Sequence, residues 1–515
     1  MTDHGRFFQS VCGLLLVAFA ACAGTACTGT ACRPALKTPP DTLVVGIESS
    51  PATLDPRLSA DAYSSKITQL LHNGLFRLDE RLQLQPDLLE SYEQVSPTEY
   101  RFKLRPGVVF HDGSGFDAAD VMFTLNSVKD PTLASPFRAT MDQIESLTSD
   151  GPLVLDVKLK EPFAPFLSSL TMGLLPSEGG DPAVGTGPFR LESLKPAESV
   201  SLAANGRYHR GAPKSGRVLF RVIPDDNLRV LEIRNRRVDV LQNNVPPLLL
   251  PALKDDDGLV LETTEGINMT YLGMNLREDP FKRPEVRRAI AMALDIPALI
   301  EYRMAKLARP ATGLLSPVHW AYDGDVMVHP FDPVKARELL DQAGYPDPDG
   351  SGPAPRFTVT YKTSTKKDRI GLARLIARYL KDVGIEARVL PLDWGVFFSD
   401  VGKGNFQLYS LTWVGVTEPD MFFEVFHSTK TPPQGLNRGG FSDTIVDRLA
   451  EEGRRLAAQD ERKAVYSEIQ KILARELPVI PLWYEGNYAV FGRNVKGLRL
   501  RPNASFEWAA EAYKE

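Results

Sequence analysis

Three cysteines stand five residues apart in FAACAGTACTGTACRP, residues 19–34: Cys22, Cys27 and Cys32, each directly after an alanine. Thiols in such a stretch can hold a metal, pair as disulfides or carry an anchor. Structural zinc asks for thiolates converging from C-x2-4-C spacings held in a knuckle. This segment is rich in alanine, glycine and threonine and has no histidine, so no metal is expected there. Upstream, Arg6 precedes an apolar run, Val11–Ala21, that ends in small side chains at Cys22. The run is too short for a membrane span, which takes roughly 20 residues. It fits the apolar region and small-residue cleavage site of a secretory signal. Residues 1–21 therefore read as a signal peptide, and 22–41, with its proline-rich RPALKTPPD, as a tether. All four cysteines, Cys12 included, lie within the first 32 residues. The folded body thus contains no thiol, as suits an exported protein large enough to need no staples.

The body holds few other groups with chemical intent. His111 and Asp112 adjoin Ser114 in FHDGSG, but no G-x-S-x-G elbow, Walker loop or H-E-x-x-H occurs. Such a tripeptide suits a polar turn; a hydrolase built on His111 and Asp112 is the enzyme alternative. The acidic turns PDPDGSG (346–352) and KDDDG (254–258) look like calcium loops. Counting from Asp347, however, the twelfth position is Thr358, where such a loop requires a bidentate glutamate. No metal and no cofactor are expected. Charged residues make up 24% and the formal net charge is −5, which lacks the basic excess of a nucleic-acid groove.

The elements that must position any site are legible from periodicity. Leu43–Ile47 is a short continuous apolar run, as in a strand buried on both faces. In FDPVKARELLDQAGY, Asp332 can cap, Pro333 fits the first turn and Gly344 ends the helix. In RPEVRRAIAMALD, Val286, Ala289, Ile290, Ala293 and Leu294 form one buried stripe. Phe357–Tyr361 alternates as a strand, 367–383 is helical, Gly384 stops it, and Ile385–Leu390 is extended again, which predicts a β-α-β unit with a right-handed crossover. The class is α/β. A chain of this length exceeds the roughly 250 to 300 residues at which one core divides, so two or more lobes are expected. No later stretch approaches 18 uninterrupted apolar residues.

An ordered set of blocks carries a resemblance. TLDPRLSADAYSSKITQLLHNGLF, YRFKLRPGVVFHDGSGFDAADVMFTL, GTGPFRL, TYLGMNL, PFKRPEVRRAIAMALD, FDPVKARELLDQAGY, DWGVFFSDVGKGNFQLYSLTW and LPVIPLWY follow one another between residues 42 and 500. Together they resemble family 5 of the bacterial extracellular solute-binding proteins, which deliver peptides, nickel chelates and related solutes to ABC importers. The resemblance implies a two-lobed periplasmic binding protein fold with hinge strands and an extra subdomain on the first lobe. Lobe I would take 42–68, 186–270 and 480–515, the extra subdomain 69–185 and lobe II 271–479, with hinges near TYLGMN and ELPVIPL. It also implies a monomer that captures a peptide or related small solute and presents it to permease subunits. A ligand sensor is an alternative, since sensing and transport would use the same closure.

By motif position, ligand main chain would pair with Ala60, Asp61 and Ala62 from one lobe and with Thr412, Trp413, Val414 and Gly415 from the other. Such pairing is indifferent to side-chain identity. Trp394, Trp413 and Tyr484 would supply aromatic walls. Peptide-binding members carry an aspartate for the ligand's amino group where this chain has Val416, so that charge would fall to Glu418 or Asp420. Leu14–Cys22 is similar to a bacterial lipoprotein signal, which implies acylation of Cys22, with membrane attachment through that lipid alone and residence in the cell envelope. A fatty-acid probe is expected to label the wild-type chain and not Cys22→Ser; label that persists in Cys22→Ser and disappears in Cys27→Ser would move the anchor.

Overall fold

The computed structural model describes residues 38–350 and 352–515; Cys22, Cys27, Cys32, the signal segment and most of the tether lie outside the described residues. Eleven strands share one sheet: β1 (Thr42–Ile47), β2 (Phe189–Lys195), β3 (Ser199–Ala204), β4 (Arg217–Val222), β5 (Val240–Gln242), β6 (Leu259–Met274), β7 (Ala308–Pro310), β8 (Phe357–Ser364), β9 (Ile385–Leu392), β10 (Leu408–Trp413) and β11 (Val479–Gly492). Their order is β9-β8-β10-β6-β11-β5-β1-β4-β3-β2, with β7 added on β11. Among the described residues, no helix is long and apolar enough to cross a membrane.

The first lobe is built around β1. All six of its residues are buried, and it lies parallel to both β4 and β5; a strand covered on both faces has no polar side, which is why LVVGI reads as an unbroken apolar run. Helix α1 (Ala62–Leu71) covers one face with Ile67, Leu70 and Leu71. The second lobe contains α2 (Pro284–Met292), α3 (Pro333–Gln342) and α4 (Lys367–Lys381). Asp332 caps α3 by accepting from the Lys335 N–H, Pro333 opens it and Gly344 follows at φ +82. The β-α-β unit is present: β8 and β9 are parallel over Phe357–Ser364, and α4 between them buries Ala373, Ile376 and Leu380. Truncating one such Leu or Ile to alanine costs about 2–5 kcal/mol.

A separate antiparallel sheet of Leu89–Ser96, Glu99–Leu104, Val154–Leu159 and Ile144–Ser149 packs on the helix Ala118–Lys129 around Phe102, Phe110 and Phe166. It stands within the stretch assigned from sequence to an extra subdomain.

Two long strands join the lobes. β6 has 16 residues and β11 has 14, and they pair antiparallel from Leu259↔Gly492 to Gly273↔Val479. At one end β11 also pairs with β5 of the first lobe. At the other, β6 pairs with β10 of the second. Between these regions the register breaks, from Thr264↔Asn487 to Asn268↔Glu485. The sequence reading put the crossings near residues 271 and 480. Tyr271 pairs with Leu411 and Ile480 with Leu272, inside the second lobe's sheet. Register shifts occur in two places: where glycine and polar residues interrupt the apolar blocks, at 264–268 and 485–487, and inside those blocks, between Thr270 and Tyr271 opposite Trp483 and Pro481.

Gly266 explains how the break is tolerated. A Cβ built there would overlap the Glu485 carbonyl oxygen and approach the Asn487 side chain. Gly266→Ala should therefore destabilise by about 1–3 kcal/mol, as overpacking against fixed backbone does. Urea denaturation checks this, and an unchanged midpoint would show that the crossing yields freely.

Candidate functional site

Ala60, Asp61 and Ala62 are exposed at the start of α1. Asp61 is the N-cap, its carboxylate accepting from the Tyr63 and Ser64 N–H groups. Its side chain thus secures the helix start, a role worth about 0.5–2 kcal/mol. Of the main chain beside it, the Ala60 N–H donates to the Leu58 carbonyl and the Asp61 carbonyl accepts from the Ser65 N–H.

In the second lobe, Trp394 opens α5 (Trp394–Gly402) after the cap Asp393. It is 55% exposed and stacks on Phe398 with ring centroids 5.3 Å apart. Trp413 behaves differently. It is 9% exposed, lies flat against Tyr271 at 5.6 Å and 7°, and carries the Arg438 guanidinium over its ring at 4.9 Å. Strand alternation buries Trp413 in the core, so it is not a bare wall. Tyr484 is also buried, its hydroxyl donating to the Gly313 carbonyl at 2.9 Å, although it reaches a cavity of about 430 Å³ lined also by Thr264, Gly266, Arg309 and Asn487. Past the end of β10, Val414 is 66% exposed, Gly415 adopts φ +69, and the Gly415 N–H donates to Asn268 Oδ1 at 3.0 Å. Val416 turns back into the core at 5% exposure.

Glu418 and Asp420 are both engaged by arginines. Glu418 pairs with Arg462 of α6 (Gln459–Glu476) and accepts from Ser168 Oγ at 2.8 Å. Asp420 lies 2.8 Å from Arg454 Nε, but the two atoms are misaligned and make no hydrogen bond. Arg454 spreads over Phe163 at 5.0 Å, and its carbonyl accepts from the Ala164 N–H at 2.7 Å. Phe163, Ala164 and Ser168 come from the stretch 69–185. These contacts join that stretch to the second lobe; of the carboxylates offered from sequence as anions for a ligand, Glu418 already pairs with Arg462, and Asp420 is packed beside Arg454 without a hydrogen bond.

Asn268, Thr270 and Glu485, which the sequence analysis did not single out, gather at the crossing with Thr412, which it did. Thr270 Oγ1 donates to Glu485 Oε1 at 2.8 Å, and Thr412 Oγ1 lies 2.8 Å from Thr270 Oγ1. Asn268 sits directly across from Glu485. A signal existed in WYEGN, a carboxylate placed inside an otherwise apolar strand. His111 shows no catalytic geometry: its Nδ1 accepts from the Gly185 N–H and its Nε2 lies 3.1 Å from the Gly187 carbonyl. Asp112 accepts from the Ser114 N–H and hydroxyl. Among the described residues no cluster of His, Cys, Asp or Glu could hold a metal.

The family model for "Bacterial extracellular solute-binding proteins, family 5 Middle" matches residues 83–433. The glutathione-binding protein GsiB of Escherichia coli K12 is 29% identical over 486 residues, covering 90% of this chain and 93% of that protein. Among solved structures, NikZ from Campylobacter jejuni in complex with Ni(L-His) is 26% identical with a TM-score of 0.79, covering 93% of this chain and 100% of the other. The oligopeptide-binding protein AppA from Bacillus subtilis, in complex with a nonapeptide, is 25% identical with a TM-score of 0.79, covering 92% and 99%.

Burial raises the Asp420 pKa to about 7, with Arg454 opposing and Glu418 reinforcing the shift. Since the unfolded carboxyl titrates near 3.9, the folded chain retains a proton between about pH 4 and 7 that the unfolded chain has lost. This group's contribution to stability is therefore greatest below pH 4 and falls as pH rises to about 7. Melting temperatures across pH 4–8 should fall less steeply in Asp420→Asn than in wild type; parallel profiles would show that Asp420 is ionised throughout.

Proposed function

The chain belongs to the bacterial extracellular solute-binding proteins of family 5, and from that premise we propose that it is a lipid-anchored receptor that takes up a peptide or related small solute between its lobes and hands it to the permease of an ABC importer. The observation that carries this reading is the pair of strands β6 and β11 shared by two lobes, each of which presents exposed residues: Ala60–Ala62 on one and Val414–Gly415 on the other. Exposed main chain recognises an extended solute through its backbone and so tolerates varied side chains. The ligands of the relatives, glutathione, a nonapeptide and a nickel–histidine chelate, all carry amide or amino-acid groups that such a surface suits. Lobe I would comprise 42–68, 186–270 and 480–515, adjusted at the crossing to the register break, with 271–479 as lobe II and 69–185 as the added subdomain. Ligand touching both lobes favours closure by differential contact alone. Cys22 would hold the receptor at the envelope membrane, as a monomer.

Native mass spectrometry of the purified mature chain should reveal one carried-over solute per chain. With that solute removed and restored, small-angle scattering should show a smaller radius of gyration in the loaded state. Stoichiometric binding with an unchanged radius would reject closure, and steady conversion of the solute to product would favour the hydrolase reading.

A further inference from the structure

We propose that Glu485 is the anion that receives a positively charged group, an ammonium, of the bound solute. The inference rests on the solute-binding reading above and names the chemistry of one end of the ligand.

Glu485 stands on β11 at the register break, where the chain passes between the lobes. It is half-buried, whereas its neighbours Trp483 and Tyr484 are fully packed. Thr270 contributes its single hydroxyl proton to Glu485 Oε1 at 2.8 Å. Thr412 is 2.8 Å from Thr270 Oγ1 and 3.4 Å from the carboxylate, so its one proton serves the shorter contact and supports Thr270 as donor. The carboxylate is thus oriented through one oxygen, and Oε2 accepts no hydrogen bond from the described residues. The cation on the adjoining strand, Arg309 of β7, pairs with Glu265 at 2.8 Å. Among the described residues no lysine, arginine or histidine forms an ion pair with Glu485.

Glu485 is half-buried, and drawing its carboxylate further from water when a solute binds is costly unless a cation or several donors satisfy it. One hydroxyl proton, from Thr270 backed by Thr412, holds the carboxylate in place without neutralising it. The strand that supplies Thr412 continues into exposed Val414 and Gly415, and the Gly415 N–H is bound to Asn268, directly across from Glu485. Main chain available to a solute and an uncompensated charge therefore occur side by side. Glu418 and Asp420 do not compete for the role, because Arg462 and Arg454 already occupy them. Val416 cannot take it, being apolar and buried.

Calorimetry with tri-alanine, reduced glutathione and N-acetyl-tri-alanine on the ligand-stripped chain tests the assignment. Wild type is expected to bind at least one free-amine probe at least about tenfold more tightly than the acetylated one, as a desolvated charge pair gives. Glu485→Gln, which keeps an oxygen acceptor for Thr270, should abolish that preference, and Glu485→Asp should restore part of it. If Glu485→Gln does not fold, the wild-type comparison and Glu485→Asp still decide. Equal binding of acetylated and free tri-alanine by wild type overturns the inference alone, as does a preference that persists in Glu485→Gln and vanishes in Asp420→Asn. Binding of none of the three probes overturns the peptide-like solute reading and the inference with it.

Discussion

The antiparallel pairing of β6 with β11 is the constraint on which the other features depend. Both strands belong to both lobes, so every residue between Leu259 and Met274 must satisfy the sheet and the geometry of the crossing together. One eleven-stranded sheet runs through the crossing from lobe to lobe, so the regularity of this pairing sets how stiff the crossing is. The register shifts in two places, between Thr264 and Asn268 and between Thr270 and Tyr271, and Gly266 lets the two backbones approach at the first. Irregularities of this kind bend a strand and re-aim side chains. Here the break falls beside Glu485, which turns a mechanical feature into a chemical one.

Charge is distributed in accordance with that division. Where the second lobe meets the stretch 69–185, carboxylates and guanidiniums are matched: Glu418 with Arg462, Asp420 with Arg454, each arginine also covering an aromatic ring. A matched, half-dry contact holds surfaces in register, and the desolvation it requires limits its net stabilisation. Burial keeps Asp420 protonated up to about pH 7 in spite of Arg454, so this contact is weaker as an ion pair than its 2.8 Å separation alone implies. At the crossing the balance is different, with Glu485 left without a cation.

Periodic elements were readable from sequence because their cores impose the period. The capped helix at Asp332 and the β-α-β unit follow from residues whose neighbours in sequence are also neighbours in the fold, and the doubly buried β1 shows as an unbroken apolar run although its partner strands are distant in sequence. The ordered blocks carried the two-lobed architecture. The site was less legible, since its members come together only through long-range register. Thr270, Thr412 and Glu485 belong to three strands, and nothing local to TYLGMN or SLTW announces that their hydroxyls meet at one carboxylate. Trp413 and Tyr484 were recognisable as aromatics, but alternation along β10 and β11 decides which face they take, and both face the core. Trp394 escapes this because it opens a helix at the surface.

Val416 makes the same point from the opposite side. A charge cannot be supplied at a position whose side chain the strand end turns into an apolar cluster, because burying it unpaired would cost several kcal/mol. Valine suits that cluster, beside Phe422 and Tyr466. Moving an anion a few residues along the same turn does not solve the problem either, since Glu418 and Asp420 reach Arg462 and Arg454 first. A different strand can supply it. β11 crosses the second lobe's sheet and returns to the first lobe, and its residue 485 is the point where packing on the face of Trp483 relaxes enough to admit a carboxylate. Loss of charge from one strand end and its presence on the shared strand are then two consequences of one packing arrangement: the core claims Val416, and the register break leaves room for Glu485.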